Sequence, residues 1–228
     1  MNPSLIIYTT SLLTYGLLYG LSRYASRRKS DKIADVLYKE GNETLLLKKQ
    51  FSGTVILIIP VAVYFLSDPD ARKLLALKFV SSWMYVWISV VILSLIAVSR
   101  NTTMQLRKIK RFHHSGMKQA NLVIYFSGRI IFLFLYELFF RGVLLFSIIS
   151  LAGNMVSVVI TVGLYTGLHA HSSKDELIAT IPFGILSSVI CIWAHSIWPA
   201  VILHIAVALT AELMMAASVN KPGKLYIA

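Results

Sequence analysis

The stretch Phe79–Ser99, FVSSWMYVWISVVILSLIAVS, runs for 21 residues without one Asp, Glu, Lys, Arg or His. Wound as an α-helix at about 1.5 Å per residue it reaches about 31 Å, the depth of the hydrocarbon layer of a bilayer. A helix apolar on every side for that length belongs in lipid rather than on the surface of a soluble core. Leu5–Ser22, LIIYTTSLLTYGLLYGLS, is equally free of ionisable side chains. Working outward from these two, further apolar runs stand at 51–67, 121–152, 155–170, 177–194 and 197–218. The reading is an all-α, polytopic transmembrane bundle of about seven to eight helices crossing the bilayer seven times.

The punctuation agrees. Ser67-Asp68-Pro69-Asp70 ends the second run, and Gly153-Asn154 divides the long region that begins near Asn121, which is too long for one simple crossing. A half-helix over 142–152 would change the count. The first run lacks a basic segment ahead of it and is followed by Arg23, Arg27, Arg28 and Lys29, so it reads as a retained span rather than a cleaved leader. Residues 23–50 carry eight Lys or Arg and close in an amphipathic run, Ala34–Gln50; residues 100–118 form a second basic loop. Placing both in the cytosol puts the N-terminus outside and returns the C-terminus, with Lys221 and Lys224, to the cytosol. The chain is thereby divided into N-terminal helices with basic loops, 1–120, a core, 121–217, and a tail, 218–228.

The chain is 57% hydrophobic and 14% charged, against about a quarter charged in ordinary globular domains. Its net charge of +12 lies in loops between apolar runs rather than along one face, so anionic lipid and not nucleic acid is the expected counter-charge. One cysteine, Cys191, allows no internal disulfide.

Ionisable groups inside an apolar span need a partner, a wet cavity or a function. Arg129, Glu137 and Arg141 fall at separations of eight and four, roughly on one face of one helix. Glu137 and Arg141 form an ion pair that either only pins the helix to its neighbours or belongs to a site. His169 stands at the end of one span and His204 well inside the last, where an imidazole can hold a hydrogen bond, bind metal, relay protons or steady an oxyanion. Glu212, eight residues past His204, either backs such a site or sits at the headgroups, and Tyr165 is spaced to pack over His169. His171 and His195 fall at membrane boundaries, and His113 and His114 in a basic loop.

In this order the residues resemble the CPBP intramembrane peptidases, the family of the CAAX prenyl endopeptidases and the Abi bacteriocin-immunity proteins. Its Glu-Glu-x-x-x-Arg motif appears as Tyr136-Glu137-Leu138-Phe139-Phe140-Arg141, its aromatic-then-His motif as Tyr165 to His169, and its closing region as Pro182-Phe183-Gly184 and His195-Ser196-Ile197-Trp198-Pro199-Ala200 through His204. The likeness covers about 121–217. It implies an endopeptidase acting on membrane-anchored or prenylated peptides, with Glu137, Arg141, His169 and His204 as its catalytic set, Glu137 as base and the histidines orienting water or the oxyanion. His169 and His204 can also ligate a divalent metal such as zinc, provided Glu137 leaves Arg141 and turns inward. The sequence departs from the pattern at Tyr136, where the family has its first glutamate, and at Ala208, where it has Asn or Asp. A phenol with a pKa of about 10 is no base near neutrality. The alternative is therefore a catalytically inactive relative that binds or regulates a membrane partner or confers immunity. A transporter or proton relay lacks the paired broken helices expected of it. The compact architecture resembles prokaryotic members and implies a bacterial plasma membrane.

Overall fold

The computed structural model describes residues 3–38, 41–76, 84–108 and 117–219, and among them the only regular elements are helical. They are α1 (Pro3–Arg27), α2 (Ile33–Tyr38), α3 (Glu43–Ser67), a 3-10 turn (Ala71–Leu75), α4 (Met84–Lys108), α5 (Gln119–Glu137), a π-helical segment (Leu138–Leu145), α6 (Phe146–Leu168), α7 (Lys174–Ala194) and α8 (Trp198–Val219). Six helical stretches are long and apolar enough to cross a bilayer. The protein is an integral membrane protein, and its leucines and isoleucines face outward in quantity because lipid, not water, surrounds them.

One of the six stretches, Gln119–Leu168, has 50 residues. At about 1.5 Å per residue that is about 75 Å, more than two bilayer cores. It is broken at Gly153, whose φ of 77° and ψ of 173° suit glycine alone. Ser157 donates to the Leu145 carbonyl across the break (2.6 Å), so the arm after Gly153 folds back on the π-helical segment. The turn expected at Gly153-Asn154 is where the helix reverses.

Polar contacts sort the connections into two ends. At one, Lys32 pairs with Glu176 and bonds Ser172, Asn121 bonds Glu43, and Tyr38 bonds the Met215 carbonyl and Ser218. At the other, the Ser196 hydroxyl donates to the Ala76 carbonyl, the Ile197 amide to Leu74 and the Trp198 indole to Leu75. Tyr8 donates to the Ser147 carbonyl near the Gly153 turn. The chain thus passes between the ends seven times, once through each of α1, α3, α4, α7 and α8 and twice through the broken 119–168 stretch.

Several helices are longer than their apolar cores. α1 runs to Arg27 rather than Ser22, α3 starts at Glu43 rather than Phe51, and α4 continues to Lys108 rather than Ser99. Once an apolar span is helical its hydrogen-bond ladder continues until something stops it, while Lys and Arg reach their charges to the headgroups. Asn42 caps α3, its side chain accepting from the Leu45 amide at 2.9 Å. The expected amphipathic run at 34–50 is consequently split between α2 and the first turns of α3. His113, His114, Lys221 and Lys224 lie outside the described residues.

α3 and α5 approach closely through two glycines used reciprocally. A Cβ on Gly53 would lie 2.7 Å from the Phe132 ring, and one on Gly128 would lie 2.5 Å from the Gln50 amide nitrogen, which donates to the Tyr125 carbonyl. Inside, Leu57, Tyr64, Phe65, Phe139, Phe140, Val143, Ile197 and Val201 form the core that carries the site.

Candidate active site

Glu137 is the last residue of α5, and the wider π-helical turn begins immediately after it. Such segments recur where a helix must aim side chains that regular winding would spread apart. Here Glu137 and Arg141, both fully buried, stand with Oε2 3.5 Å from Nε. The other carboxylate oxygen, Oε1, lies 2.5 Å from Nδ1 of His204 on α8. An ionised carboxylate only accepts hydrogen bonds, so Nδ1 of His204 donates and its Nε2 keeps a lone pair. Glu137 therefore reaches His204 without leaving Arg141; the two carboxylate oxygens point to different partners.

His169 closes α6. Its Nδ1 donates to the Tyr165 carbonyl one turn back, at 3.0 Å, which again leaves Nε2 as an acceptor. The Tyr165 ring joins the two histidines, with centroid separations of 5.0 Å from His169 and 6.3 Å from His204. Phe183 of α7 packs on His204 at 5.2 Å and on Tyr165 at 6.1 Å. Tyr136 completes the wall, 5.9 Å from His204 and 5.7 Å from Tyr165, with its buried hydroxyl unpartnered among the described residues. The result is an aromatic chamber holding two imidazole acceptors, one carboxylate and two phenols.

All four expected catalytic residues, Glu137, Arg141, His169 and His204, are thus gathered at one place. Arg129 is not among them, although it shares α5 with Glu137. Its Nη2 and Nε meet Oε1 of Glu212 at 2.9 and 3.0 Å, and Tyr125 donates to the other Glu212 oxygen at 3.2 Å. Glu212 therefore neither backs the site nor simply faces headgroups; it neutralises Arg129. His171 packs its ring on Tyr19, and exposed His195 ends α7 in the left-handed conformation with φ of 45°. Phe183 is the wall residue that reasoning from polar groups missed; only its place in the Pro182-Phe183-Gly184 triplet marked it. Ala208, one turn beyond His204, offers the chamber no polar group.

Metal ligation needs at least three donors on one point. Among the described residues no group of three or more His, Cys, Asp or Glu is arranged to hold an ion. His169 and His204 supply two imidazole nitrogens, but Glu137 has its oxygens turned to His204 and Arg141. The residues as arranged do not fit a zinc site.

The fold defines a class: a polytopic helical membrane protein, with its buried carboxylate, arginine and two histidines gathered in one aromatic chamber. Residues 118–210 match the Rce1-like family, described as type II CAAX prenyl endopeptidase Rce1-like, consistent with a CPBP family member. The match points to a CAAX-type, intramembrane protease-like role. No curated protein and no solved structure matches the chain.

Proposed function

We propose that the protein is an intramembrane endopeptidase that cuts membrane-anchored or prenylated polypeptides, with His204 rather than a glutamate as the group that activates water. The observation carrying this reading is the 2.5 Å contact between Glu137 Oε1 and His204 Nδ1 at a fully buried carboxylate. A carboxylate that holds Nδ1–H fixes the tautomer and leaves Nε2 as the base, the relation found in carboxylate-oriented histidine catalysis on unrelated folds. His204 Nε2 takes a proton from water, the oxygen attacks the scissile carbonyl, and the same imidazolium returns the proton to the leaving amine. His169 Nε2 is a second acceptor that orients the water. The Tyr136 hydroxyl stands where the family has its first glutamate and serves as a donor to the oxyanion instead. Arg141 supplies the buried counter-charge beside Glu137. The basic end of the bundle faces the cytosol of a bacterial plasma membrane, so the site takes substrate from that side.

The second reading is a binding or regulatory relative without hydrolysis, favoured by Tyr136 and by Ala208, where the family places a polar side chain. One assay separates the two. The purified protein in lipid is given a panel of prenylated and transmembrane peptides alongside His204→Ala, His169→Ala and Tyr136→Phe. Under the first reading the parent cuts, His204→Ala is essentially dead, and Tyr136→Phe falls about 100-fold to 1,000-fold in kcat, the loss expected for one oxyanion donor. An inactive parent that gains cleavage on Tyr136→Glu with Ala208→Asn establishes the second.

A further inference from the structure

Arg141 has more hydrogen-bonding capacity than its visible partners use. A guanidinium carries five N–H donors. That of Arg141 is fully buried, touches Glu137 only through the 3.5 Å approach at Nε, and has neither Nη hydrogen-bonded among the described residues. Two hydroxyls share this condition, Thr161 Oγ1 on α6 and Ser187 Oγ on α7, both on residues with no exposure.

Helix register brings the three to one level. Ser157 bonds the Leu145 carbonyl, and Tyr165 touches Tyr136 and Phe140, so the arm of α6 beyond Gly153 runs antiparallel to the π-helical segment with 157 beside 145 and 165 beside 136–140. That register puts Thr161 at the level of Arg141. α6 and α7 are also antiparallel: Thr180 bonds Thr166 at 3.2 Å, and Gly184 lies against Val162. The same spacing sets Ser187 beside residue 159, half a turn from Thr161. The Arg141 guanidinium lies over the Tyr165 ring, 5.1 Å from its centroid.

We propose that the protein binds one or two internal waters at Arg141, between the π-helical segment, α6 and α7, with Thr161 and Ser187 as their other ligands. A buried water needs two to four polar partners, and these three side chains supply them. Apolar surroundings make an unbridged guanidinium costly, whereas water bridging it to two hydroxyls satisfies donors and acceptors together. The Glu137 carboxylate already balances the arginine, so a neutral ligand fits better than an anion. The site is independent of whether the chamber hydrolyses peptides.

Thr161→Val and Ser187→Ala delete one hydroxyl each with almost no change of shape. The measurement is the midpoint of thermal unfolding of the full chain in lipid nanodiscs, in sodium chloride and in sodium gluconate. With water bound, each substitution lowers the midpoint by about 2–6 °C, and the double variant falls by less than the sum because both hydroxyls hold the same water. Brief X-ray exposure, which generates hydroxyl radicals from bound water, then labels Tyr165 more heavily in the parent than in the double variant. A midpoint unchanged or raised by either substitution overturns the proposal, since removing a dry, unpaired hydroxyl costs nothing. A midpoint that follows chloride concentration overturns it in favour of an anion site.

Discussion

Burying Arg141 is tolerable because Glu137 is buried beside it, and that dependence has a measurable form. Glu137→Gln keeps the shape and an acceptor for His204 but leaves the guanidinium without a counter-charge, which costs about 3–5 kcal/mol in buried pairs. Adding Arg141→Met to Glu137→Gln removes the charge that was stranded. Denaturant unfolding is expected to show the double variant more stable than Glu137→Gln alone; a double variant with the full sum of both losses would mean that the pair is not coupled. Asp31 gives a second test, outside the spans. Burial alone would raise its pKa, but the Lys49 ammonium 2.6 Å away outweighs this and holds the carboxyl below its ordinary value. A carboxyl depressed in the folded state contributes stability above its unfolded pKa of about 3.9 and loses it as pH falls through the lower folded value. Stability should therefore drop below about pH 4, and less steeply in Asp31→Asn, when unfolding is followed against pH. The polar site residues were legible because Glu137, Arg141, His169 and His204 are conspicuous in apolar runs. The partner of Arg129 was not, since Glu212 lies 83 residues away in sequence and only packing of α5 on α8 brings them together.

At the scale of elements, two features decide where those side chains point. One is the π-helical turn after Glu137, which the sequence announces only indirectly, as a charged pair four apart in a region too long for one crossing. The other is the close approach of α3 to α5 at Gly53 and Gly128. Gly128→Val would put carbon where the Gln50 amide now reaches the Tyr125 carbonyl, and Gly53→Val would strike Phe132. Each should destabilise by about 1–3 kcal/mol, the usual cost of overpacking. Gly20→Ala, with no atom within 4 Å of its added carbon, should be neutral or slightly stabilising, because alanine favours the helix. Thermal unfolding of the three variants checks this, and equal losses in all three would rule out close packing as the reason for Gly53 and Gly128. The Ser196-Ile197-Trp198-Pro199-Ala200 run, which supports the family likeness, makes its hydrogen bonds at the other end of the bundle from His169: it holds the carbonyls of Leu74, Leu75 and Ala76. A linear motif gives order but not purpose, and this one reads as structural only once its hydrogen bonds are seen.

For the whole molecule, the alternation of ends is a stronger constraint than any single hydropathy window. Lys32 with Glu176, Asn121 with Glu43, and Tyr38 with Met215 and Ser218 tie four connections or termini to one face. Leu74, Leu75 and Ala76 with Ser196, Ile197 and Trp198 tie two to the other. Only an odd number of passages between residues 32 and 195 puts them on opposite faces, and only the reversal at Gly153 supplies the needed pass. The side rich in Arg23, Arg27, Arg28, Lys29, Lys48, Lys118 and Lys174 should be cytosolic, since positive loops resist export. The sole cysteine, Cys191, is fully buried and can be replaced by alanine to give a background for single new thiols. In intact cells a membrane-impermeant maleimide is expected to label Asp70→Cys and His195→Cys but to reach Lys29→Cys and Lys174→Cys only after lysis. Labelling of position 174 together with 195 from outside would remove one crossing and place the histidine chamber at the wrong face for a cytosolic substrate; labelling of 29 and 174 but not of 70 and 195 would keep the seven crossings and invert the protein.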